Sequence, residues 1–250
     1  MLKNEREREI ISILKSCGGF VTVRDLCTQL YASESSIRRD LTALENKGIV
    51  KKTYGGAELV TNYSNVIAFN RRTHHNVYAK KLIAKKAVTL IKEGSIVFLD
   101  QSSTALYLAH EIINRSGITV VTNNIEIVSL LTGTAIKTIC SGGTLSADNR
   151  ICLIGADAQY IFEHTYADIV FFSAKSMSEE GLISDCTREE VIVRNSMIAN
   201  AAKKVFLCDS EKFDTCSAYK QCDISKIDYL VSENETAKKY QKLNNSLVIL

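Results

Sequence analysis

The sequence of 250 residues contains no proline and no tryptophan, and this absence by itself identifies no function. It also lacks any apolar run close to the roughly 18 residues that cross a bilayer, so we predict no membrane partner. Residues 1–8 are rich in charge where a signal peptide has an apolar core, and we therefore expect a cytoplasmic protein. The net charge of +3 is too small to indicate a nucleic-acid binder, so that interpretation depends on where the charges lie.

No two cysteines have the C-x-x-C spacing of a zinc or redox site, and several lie within apolar runs, which favours buried, reduced thiols. The histidines show no ligand spacing with cysteines or carboxylates, so we predict neither a metal nor another cofactor. With 46% hydrophobic and 24% charged residues, the composition is that of a globular protein of about two domains. The cysteines are Cys17, Cys27, Cys140, Cys152, Cys186, Cys208, Cys216 and Cys222, and the histidines are His74, His75, His110 and His164.

The first 57 residues show the pattern of a winged helix-turn-helix. Apolar side chains at helical spacing give three short helices one apolar face each: Ile10, Ile13, Leu14 and Cys17 in the first, Val23, Leu26 and Leu30 in the second, and Ile37, Leu41 and Leu44 in the third. Thr22 and Ser33 are suited to cap the second and third helices, and glycines at 18–19 and 48 to end the first and third. Residues 49–54 then alternate like a strand and run into Gly55-Gly56, which predicts a hairpin, the wing.

The opposite face of the third helix has the chemistry of a DNA-reading surface. It carries Arg38 and Arg39, and arginine can bind guanine with two hydrogen bonds, while Ser and Thr side chains reach bases or phosphates. In the wing, Lys51 and Lys52 are suited to contact the DNA backbone. The alternative is an ordinary solvated helix face, and the spacing alone leaves both interpretations open. The polar residues on this face are Ser35, Thr42 and Asn46.

The runs Ser33–Leu41 and Gly48–Ala57 resemble the helix-turn-helix signature of the DeoR family of bacterial transcriptional regulators. They share with it the paired arginines followed by Asp-Leu and the closing Gly-Gly-Ala. We expect Asp40 to orient an arginine or cap a neighbour, because phosphate repels a carboxylate. The resemblance implies that the third helix is the recognition helix, which gives that role to Ser35, Ser36, Arg38 and Arg39.

The remainder of the chain predicts a linker over residues 58–73, an α/β domain over 74–235 and a C-terminal segment over 236–250. A helix over Val77 to Ile91 begins this domain. Apolar runs then alternate with helical patterns, which indicates a largely parallel sheet. The predicted strands are Ser95–Leu99, Ile118–Thr122, Ile136–Cys140, Asp168–Ser173, Val205–Cys208 and Ile227–Val231, and the helices are Thr104–Asn114, Ile125–Leu131, Gly155–His164 and Glu189–Ala202.

Small polar residues follow four of these strands: Asp100–Thr104, Thr122–Asn124, Ser141–Thr144 and Asp209–Phe213. Open parallel sheets bind ligands beyond the carboxyl ends of their strands, and a helix that begins there attracts anions. The pattern therefore favours a site for a polyhydroxylated phosphate ester. For any single loop, ordinary caps and turns explain the same residues equally well.

These segments also resemble the sensor half of the DeoR family, through Phe69-x-x-Arg72-x-x-x-Asn76-x-x-x-Lys80, Asp100-x-Ser102-Ser103-Thr104, Val121–Asn124, Gly142-Gly143 and Asp209-Ser210-x-Lys212-Phe213. The resemblance implies a fold related to ribose-5-phosphate isomerase and a phosphorylated sugar or related metabolite as effector. It implies that Lys80 and Lys212 neutralise the phosphate. For Arg72 and Asn76 two interpretations stay open, a further effector contact or a tie between the linker and the sensor. The implied effector contacts are Lys80, Asp100, Ser102, Ser103, Thr104, Thr122, Asn123 and Lys212.

One segment departs from the family pattern. After the fourth strand the chain reads Phe-Ser-Ala-Lys-Ser-Met over residues 172–177, where many members have a Gly-Ala-Asp-Gly-like stretch. Lys175 stands where an isomerase needs a carboxylate base, so we expect it to be a further anion contact, with no catalytic residues in the chain. An isomerase-like enzyme fused to a DNA-binding domain remains the alternative, because Asp100 and Asp209 lie at strand ends.

The leading expectation is a repressor of a sugar or polyol operon whose affinity for double-stranded operator DNA is changed by a phosphorylated sugar-type effector. A single helix-turn-helix buries too little DNA surface for strong discrimination. We therefore expect a homodimer or a higher homo-oligomer on a repeated operator.

Overall fold

The computed structural model describes residues 3–17, 19–46, 49–59, 69 and 72–250. The chain divides into two compact units, Met1–His75 and Asn76–Leu250. Most of the predicted linker over residues 58–73 lies outside the described residues, as do the helix-ending glycines predicted at positions 18 and 48. Among the described residues, no helix is long and apolar enough to span a membrane.

The smaller unit is a winged helix-turn-helix, as predicted. Its elements are α1 (Lys3–Ser16), β1 (Phe20–Thr22), α2 (Val23–Leu30), α3 (Glu34–Asn46), β2 (Val50–Thr53) and β3 (Gly56–Leu59). Strand β3 pairs antiparallel with both β1 and β2, so the predicted hairpin is part of a three-stranded sheet. Both predicted caps are confirmed, because the hydroxyls of Thr22 and Ser33 accept hydrogen bonds from the backbone N–H groups of Asp25 and Ser36.

The helices of this unit bury their predicted apolar faces in one core, which includes Ile10, Leu14, Leu26, Ile37, Leu41 and Leu44. Gly56 lies so close to β1 that a Cβ atom there would be 2.4 Å from the backbone oxygen of Val21. Gly55, one residue earlier, has a φ of +84° in the turn of the wing. The Gly-Gly pair therefore serves two purposes, the turn itself and the close approach of a strand that the sequence did not predict.

The larger unit is an α/β domain with a parallel sheet, as predicted. Seven strands form this sheet in the order β15-β14-β12-β9-β4-β5-β6. They are β4 (Ile96–Leu99), β5 (Thr119–Thr122), β6 (Lys137–Cys140), β9 (Ala167–Phe172), β12 (Ala201–Leu207), β14 (Tyr229–Val231) and β15 (Val248–Ile249). The α-helices are α4 (Val77–Ala87), α5 (Ser103–Ile112), α6 (Ile125–Leu131), α7 (Ala156–Glu163) and α8 (Arg188–Ala199), and the 3-10 helices are Val88–Leu90, Ser210–Lys212, Ile224–Lys226 and Glu235–Leu243.

Two small sheets complete this unit. Strands β10 (Ser176–Met177), β11 (Leu182–Asp185) and β13 (Tyr219–Asp223) form an antiparallel sheet. Strands β7 (Thr144–Leu145) and β8 (Leu153–Ile154) form an antiparallel pair. The sequence predicted none of these five strands, nor β15. Strands β7, β8, β10 and β15 have two residues each, too few to show a periodicity, and the conformation of all six depends on pairing with another strand.

The predicted boundary between the last helix and the strand that follows it is wrong. Helix α8 ends at Ala199 and β12 begins at Ala201, whereas the helix was predicted to continue to Ala202. Ala201 pairs in parallel register with Ala167 of β9, and the hydrogen-bond ladder of the sheet overrides the helical preference of the alanines.

The order of the strands fixes the position of the ligand crevice. From β4 the chain adds β5 and β6 on one side, then crosses to add β9, β12, β14 and β15 on the other. The carboxyl ends of β4 and β9 therefore flank the topological switch point of the sheet, where open parallel sheets bind ligands.

All eight cysteines are free thiols, but the prediction that they are buried holds for only three of them. Cys152, Cys208 and Cys222 are buried, and burial raises the pKa of Cys222 to about 12. The exposed cysteines lie at the ends of elements or in loops, where the apolar pattern no longer determines burial: Cys17, Cys140, Cys186 and Cys216.

Candidate functional site

Helix α3 presents the predicted DNA-contacting side chains on its outer face. Four of the five are exposed and one is half-buried: Ser35, Arg38, Arg39, Thr42 and, half-buried, Ser36. Arg38 forms an ion pair of 2.7 Å with Glu34, one turn earlier on the helix. Arg39 makes no ion pair with any residue that the structure describes. Its guanidinium is therefore available to an external partner.

The wing is connected to α3 through Lys52. The Lys52 ammonium group lies 3.1 Å from Thr42 Oγ1 and 3.2 Å from the carboxylate of Glu45. The backbone N–H of Lys52 donates to Glu45 Oε1 at 2.8 Å, and mainly this hydrogen bond lowers the pKa of Glu45. Both Lys51 and Lys52 are exposed. The wing and the recognition helix thus form one continuous basic and polar surface.

Two exposed tyrosines of the smaller unit lie in turns. Tyr54 lies in the turn between β2 and β3 and is fully exposed, and Tyr31, 97% exposed, ends α2 with a φ of 49°. Singly exposed apolar side chains are common on protein surfaces, so exposure alone gives these tyrosines no functional role.

Asp40 has the structural role that was predicted for it. It lies on the inner side of α3, is almost completely buried, and accepts a hydrogen bond from Nε of Arg6 on α1. The contact fixes the recognition helix to α1 without placing a carboxylate near DNA phosphates.

At the crevice of the larger unit, Asp100 directly follows β4 and is completely buried. Its Oδ1 accepts from the backbone N–H of Ser102 at 3.1 Å, and its Oδ2 accepts from the backbone N–H of Ser173 at 3.1 Å. Oδ2 also accepts from Nε of Arg194 at 3.0 Å. The carboxylate therefore holds together the loops that follow β4 and β9.

Arg194 of α8 was not predicted as a site residue, although it is one of the largest buried side chains. Besides Asp100, its guanidinium donates to Asp185 at 3.0 Å and to Gln221 at 2.7 Å. Burial disfavours the charge, but the carboxylates of Asp185, Asp100 and Glu190 outweigh it and raise the pKa of Arg194. The sequence signal was an arginine on the same helical face as Val193, Met197 and Ile198.

A second charged group lies across β9, at the end of β12. Lys212 Nζ is 3.1 Å from the carboxylate of Asp209 and 3.0 Å from Ser173 Oγ. Burial alone would raise the pKa of Asp209, but Lys212, Lys80 and a hydrogen bond from Asn76 together lower it. Two lysines thus act on the carboxylate of Asp209, which places cationic groups at this end of the crevice.

A third group, on the β5 side of Asp100, consists of amides around a buried carboxylate. Glu190 of α8 accepts hydrogen bonds from Gln101 at 3.0 Å and from Asn149 at 3.1 Å. Asn123, at the end of β5, donates to the backbone oxygen of Leu153 at 3.0 Å and to Gln101 at 3.4 Å. Gln101, Asn123, Asn149 and Glu190 are all at most 6% exposed. We call these four residues the amide cluster.

The structure places the remaining predicted effector residues at the same edge of the sheet. Ser102 caps α5 by accepting from the backbone N–H of Ala105, and Thr122 Oγ1 accepts from the backbone N–H of Asn124. Ser103 and Thr104 are buried in the first turn of α5. Lys175 is exposed in the loop after β9. The strand ends thus bring together residues that are far apart in the sequence.

Comparison with known proteins decides the family. Residues 6–63 match the DeoR-like helix-turn-helix domain, and residues 75–234 match the DeoR C-terminal sensor domain. The chain belongs to the DeoR family. It is therefore a DNA-binding transcriptional regulator and not an enzyme.

Individual relatives of this DeoR-family regulator match over almost their whole length. The transcriptional regulator GolR of Listeria innocua is 34% identical over 97% of this chain and 95% of its own length. The lactose phosphotransferase system repressor of Staphylococcus aureus is 25% identical over the whole of both chains. Among solved structures, ribose 5-phosphate isomerase A of Methanocaldococcus jannaschii is 21% identical, with a TM-score of 0.41 over 54% of this chain and 53% of its own.

Proposed function

We propose that this DeoR-family regulator represses a sugar or polyol operon, and that a phosphorylated sugar-type effector changes its affinity for the operator. Relatives are named for both directions of control, among them a lactose phosphotransferase system repressor and an L-fucose operon activator. Repression is the simpler mechanism, because a protein bound across a promoter excludes polymerase without needing a contact to it.

The observation that supports the effector most directly is the pair of lysines at the carboxyl ends of the strands. Lys80 and Lys212 both lower the pKa of Asp209, and the first turn of α5 points its N–H groups to the same edge. A phosphate group can pair with the lysine ammonium groups and with the helix N-terminus. Lys175, exposed nearby on the loop after β9, is a further anion contact in this proposal.

The predicted effector residues divide into two roles. We assign direct contact to Lys80, Lys212, Lys175, Ser103, Thr104 and Asn123. We assign a positioning role to Asp100, Ser102 and Thr122, because backbone N–H groups and Arg194 already occupy their side-chain oxygens.

For DNA, we propose that Arg39 reads bases and that Lys51 and Lys52 contact phosphates, in a homodimer or a higher homo-oligomer on repeated half-sites. Ser35, Ser36, Arg38 and Thr42 complete the surface of the recognition helix. The effector then acts by binding more tightly to one of two arrangements of the protein, one that binds the operator and one that does not.

The test uses the full chain and a DNA site that the wild-type protein selects from a random pool. Arg39→Ala should weaken binding to that site by about tenfold or more, and Arg39→Lys should also weaken it, since lysine keeps the charge but loses the two-pronged contact. Both variants should still show the thermal shift that a phosphate ester causes. Equal loss of DNA and ester binding in Arg39→Ala would contradict the proposed roles of the two units.

The effector is tested by thermal unfolding with phosphorylated sugars and polyols and with their unphosphorylated parents. A ligand that binds only the folded protein raises its melting temperature. We expect a shift with one or more esters, none with the parents, and loss of the shift in Lys212→Ala with DNA binding retained. If no phosphate ester raises the melting temperature, or if Lys212→Ala shows the same rise as the wild type, the proposed effector site is wrong. Transcription from the selected promoter in vitro distinguishes repression from activation.

A further inference from the structure

Several buried polar atoms at the crevice have no partner in the protein. Among the described residues, five buried side-chain nitrogen or oxygen atoms lack a hydrogen bond, and four of them lie at or beside the ends of β4 and β5. Three of these four are potential acceptors: Thr104 Oγ1, Asn123 Oδ1 and Asn149 Oδ1. Each of the three residues is at most 1% exposed. Leaving a buried polar group unsatisfied costs about 1 to 3 kcal/mol, so such a concentration indicates a missing partner.

Exchanging the side-chain oxygen and nitrogen of Asn123 or Asn149 would not supply the missing hydrogen bonds. Asn123 Nδ2 faces the backbone oxygen of Leu153 at 3.0 Å, and Asn149 Nδ2 faces a carboxylate oxygen of Glu190 at 3.1 Å. Turning either amide would place its oxygen against another acceptor. Both Oδ1 atoms are therefore acceptors that need a donor.

The amide cluster is held in place from several sides. Glu190 binds Gln101 and Asn149, and Gln101 in turn accepts from Asn123, so the hydrogen bonds are continuous from β5 to α8. The loop that carries Asn149 is fixed by Ser146, whose hydroxyl accepts from the backbone N–H groups of Asp148 and Asn149. An acceptor-rich surface that is fixed before binding selects for complementary donors.

The cluster is continuous with the lysine end of the crevice. Gln101 directly follows Asp100, Asp100 accepts from the N–H of Ser173, and Ser173 Oγ accepts from Lys212. The unsatisfied acceptors therefore lie on the β5 side of Asp100, and the Lys212 ammonium group lies on the β12 side.

We infer that the amide cluster and Thr104 bind hydroxyl groups of the effector, with Asn149 and Glu190 as specificity-determining residues; this rests on the proposed function. Hydroxyl groups donate to acceptors and can also accept from Thr104, whereas an alkyl chain leaves every acceptor unsatisfied. A site built to bind hydroxyls rejects analogues that lack them far more strongly than an apolar pocket rejects a changed size. The effector class is thus a phosphate ester of a polyol or sugar, with its hydroxyls directed to β5 and its phosphate to Lys212.

The experiment measures binding of two matched pairs of probes to the full chain by calorimetry: ribitol 5-phosphate against pentyl phosphate, and glucitol 6-phosphate against hexyl phosphate. At least one polyol ester should bind about tenfold or more tightly than its alkyl counterpart, which corresponds to one well-formed hydrogen bond. In Asn149→Ala this preference should fall by about tenfold, with alkyl phosphate affinity unchanged. Asn245→Ala, at an exposed position, is the matched control and should behave as wild type.

Glu190→Gln is a second variant of nearly the same volume, in case Asn149→Ala fails to fold. A glutamine oxygen cannot accept from both amides as the carboxylate does, so the polyol preference should again fall while alkyl phosphate affinity is kept. If alkyl and polyol phosphates bind equally to the wild type, or if both variants keep the preference, the inference is overturned while the phosphate site stands. If no ester binds, the proposed function fails with it.

Discussion

Replacing Arg194 tests the electrostatic centre of the sensor unit. Its guanidinium makes three hydrogen bonds of 2.7 to 3.0 Å to Asp100, Asp185 and Gln221, and it is 1% exposed. In Arg194→Met the aliphatic volume is largely kept, but Asp100 remains buried with only backbone N–H donors. Breaking a buried ion pair by removing one partner costs about 3 to 5 kcal/mol.

The expected change in melting temperature follows from the size of the unit. For domains of about 150 to 250 residues, 1 kcal/mol shifts the melting temperature by about 2 to 4 °C. We therefore expect the transition of the larger unit to fall by about 6 to 20 °C in differential scanning calorimetry. The smaller unit serves as an internal control, since Arg194 lies in the larger one.

A double-variant cycle separates the lost charge pair from lost packing. Asp100→Asn removes the unpaired negative charge and keeps one oxygen, which can accept from the N–H of Ser102 or of Ser173 but not from both on separate oxygens as in the wild type. Arg194→Met combined with Asp100→Asn should therefore be less destabilised than the sum of the single variants, by about 2 kcal/mol. If Arg194→Met costs less than about 1 kcal/mol, or if the single effects simply add, the assignment of this ion pair as the centre of the unit is wrong.

Two further predictions concern the wing and the crevice. Gly56→Ala should destabilise the smaller unit by about 1 to 3 kcal/mol, because its Cβ would lie 2.4 Å from the backbone oxygen of Val21. Gly55→Asn lies in an open turn with positive φ and should leave the melting temperature nearly unchanged. If both variants lose the same stability, close contact with β1 is not the reason for the glycine at position 56. Asp209 has a lowered pKa, so its stabilising effect should be lost as the pH falls below the ordinary 3.8. In Lys212→Met the strongest interaction that lowers this pKa is removed, so melts over a pH series should show a smaller loss of stability on acidification; an unchanged profile would refute the pairing.

The elements that were predicted correctly are those that local chemistry determines. The caps at Thr22 and Ser33, the apolar faces of the first three helices and the apolar runs of the central strands all act within a few residues. The short strands β1, β10 and β15 could not be predicted, because two or three residues carry no periodicity. They become strands only when a neighbouring strand supplies the hydrogen bonds, and for β1 that strand, β3, lies more than 30 residues away in the sequence.

The candidate site likewise has a part that the local sequence determines, at the strand ends, and a part that only tertiary packing determines. Asp100, Thr122, Asn123 and Lys212 follow strands, and the carboxyl ends of parallel strands meet at one edge whatever the details of packing, so their proximity could be predicted. Nothing local marks Asn149 and Glu190, the two members of the amide cluster that do not follow β4 or β5.

Asn149 lies in a loop and Glu190 on a helix, 41 residues apart, and only the packing of α8 across the strand ends brings them together. The sequence does contain one signal of this packing, which is charge at helical positions that the apolar pattern marks as buried. Glu190 and Arg194 are charged side chains one turn apart on the face of α8 that also buries Val193, Met197 and Ile198. A globular protein buries such charges only when they are paired, and here they are paired to the strand ends. Two charged residues one turn apart on the apolar face of a helix in a sensor domain are therefore the signal that locates the part of a ligand site beyond the strand-end motifs.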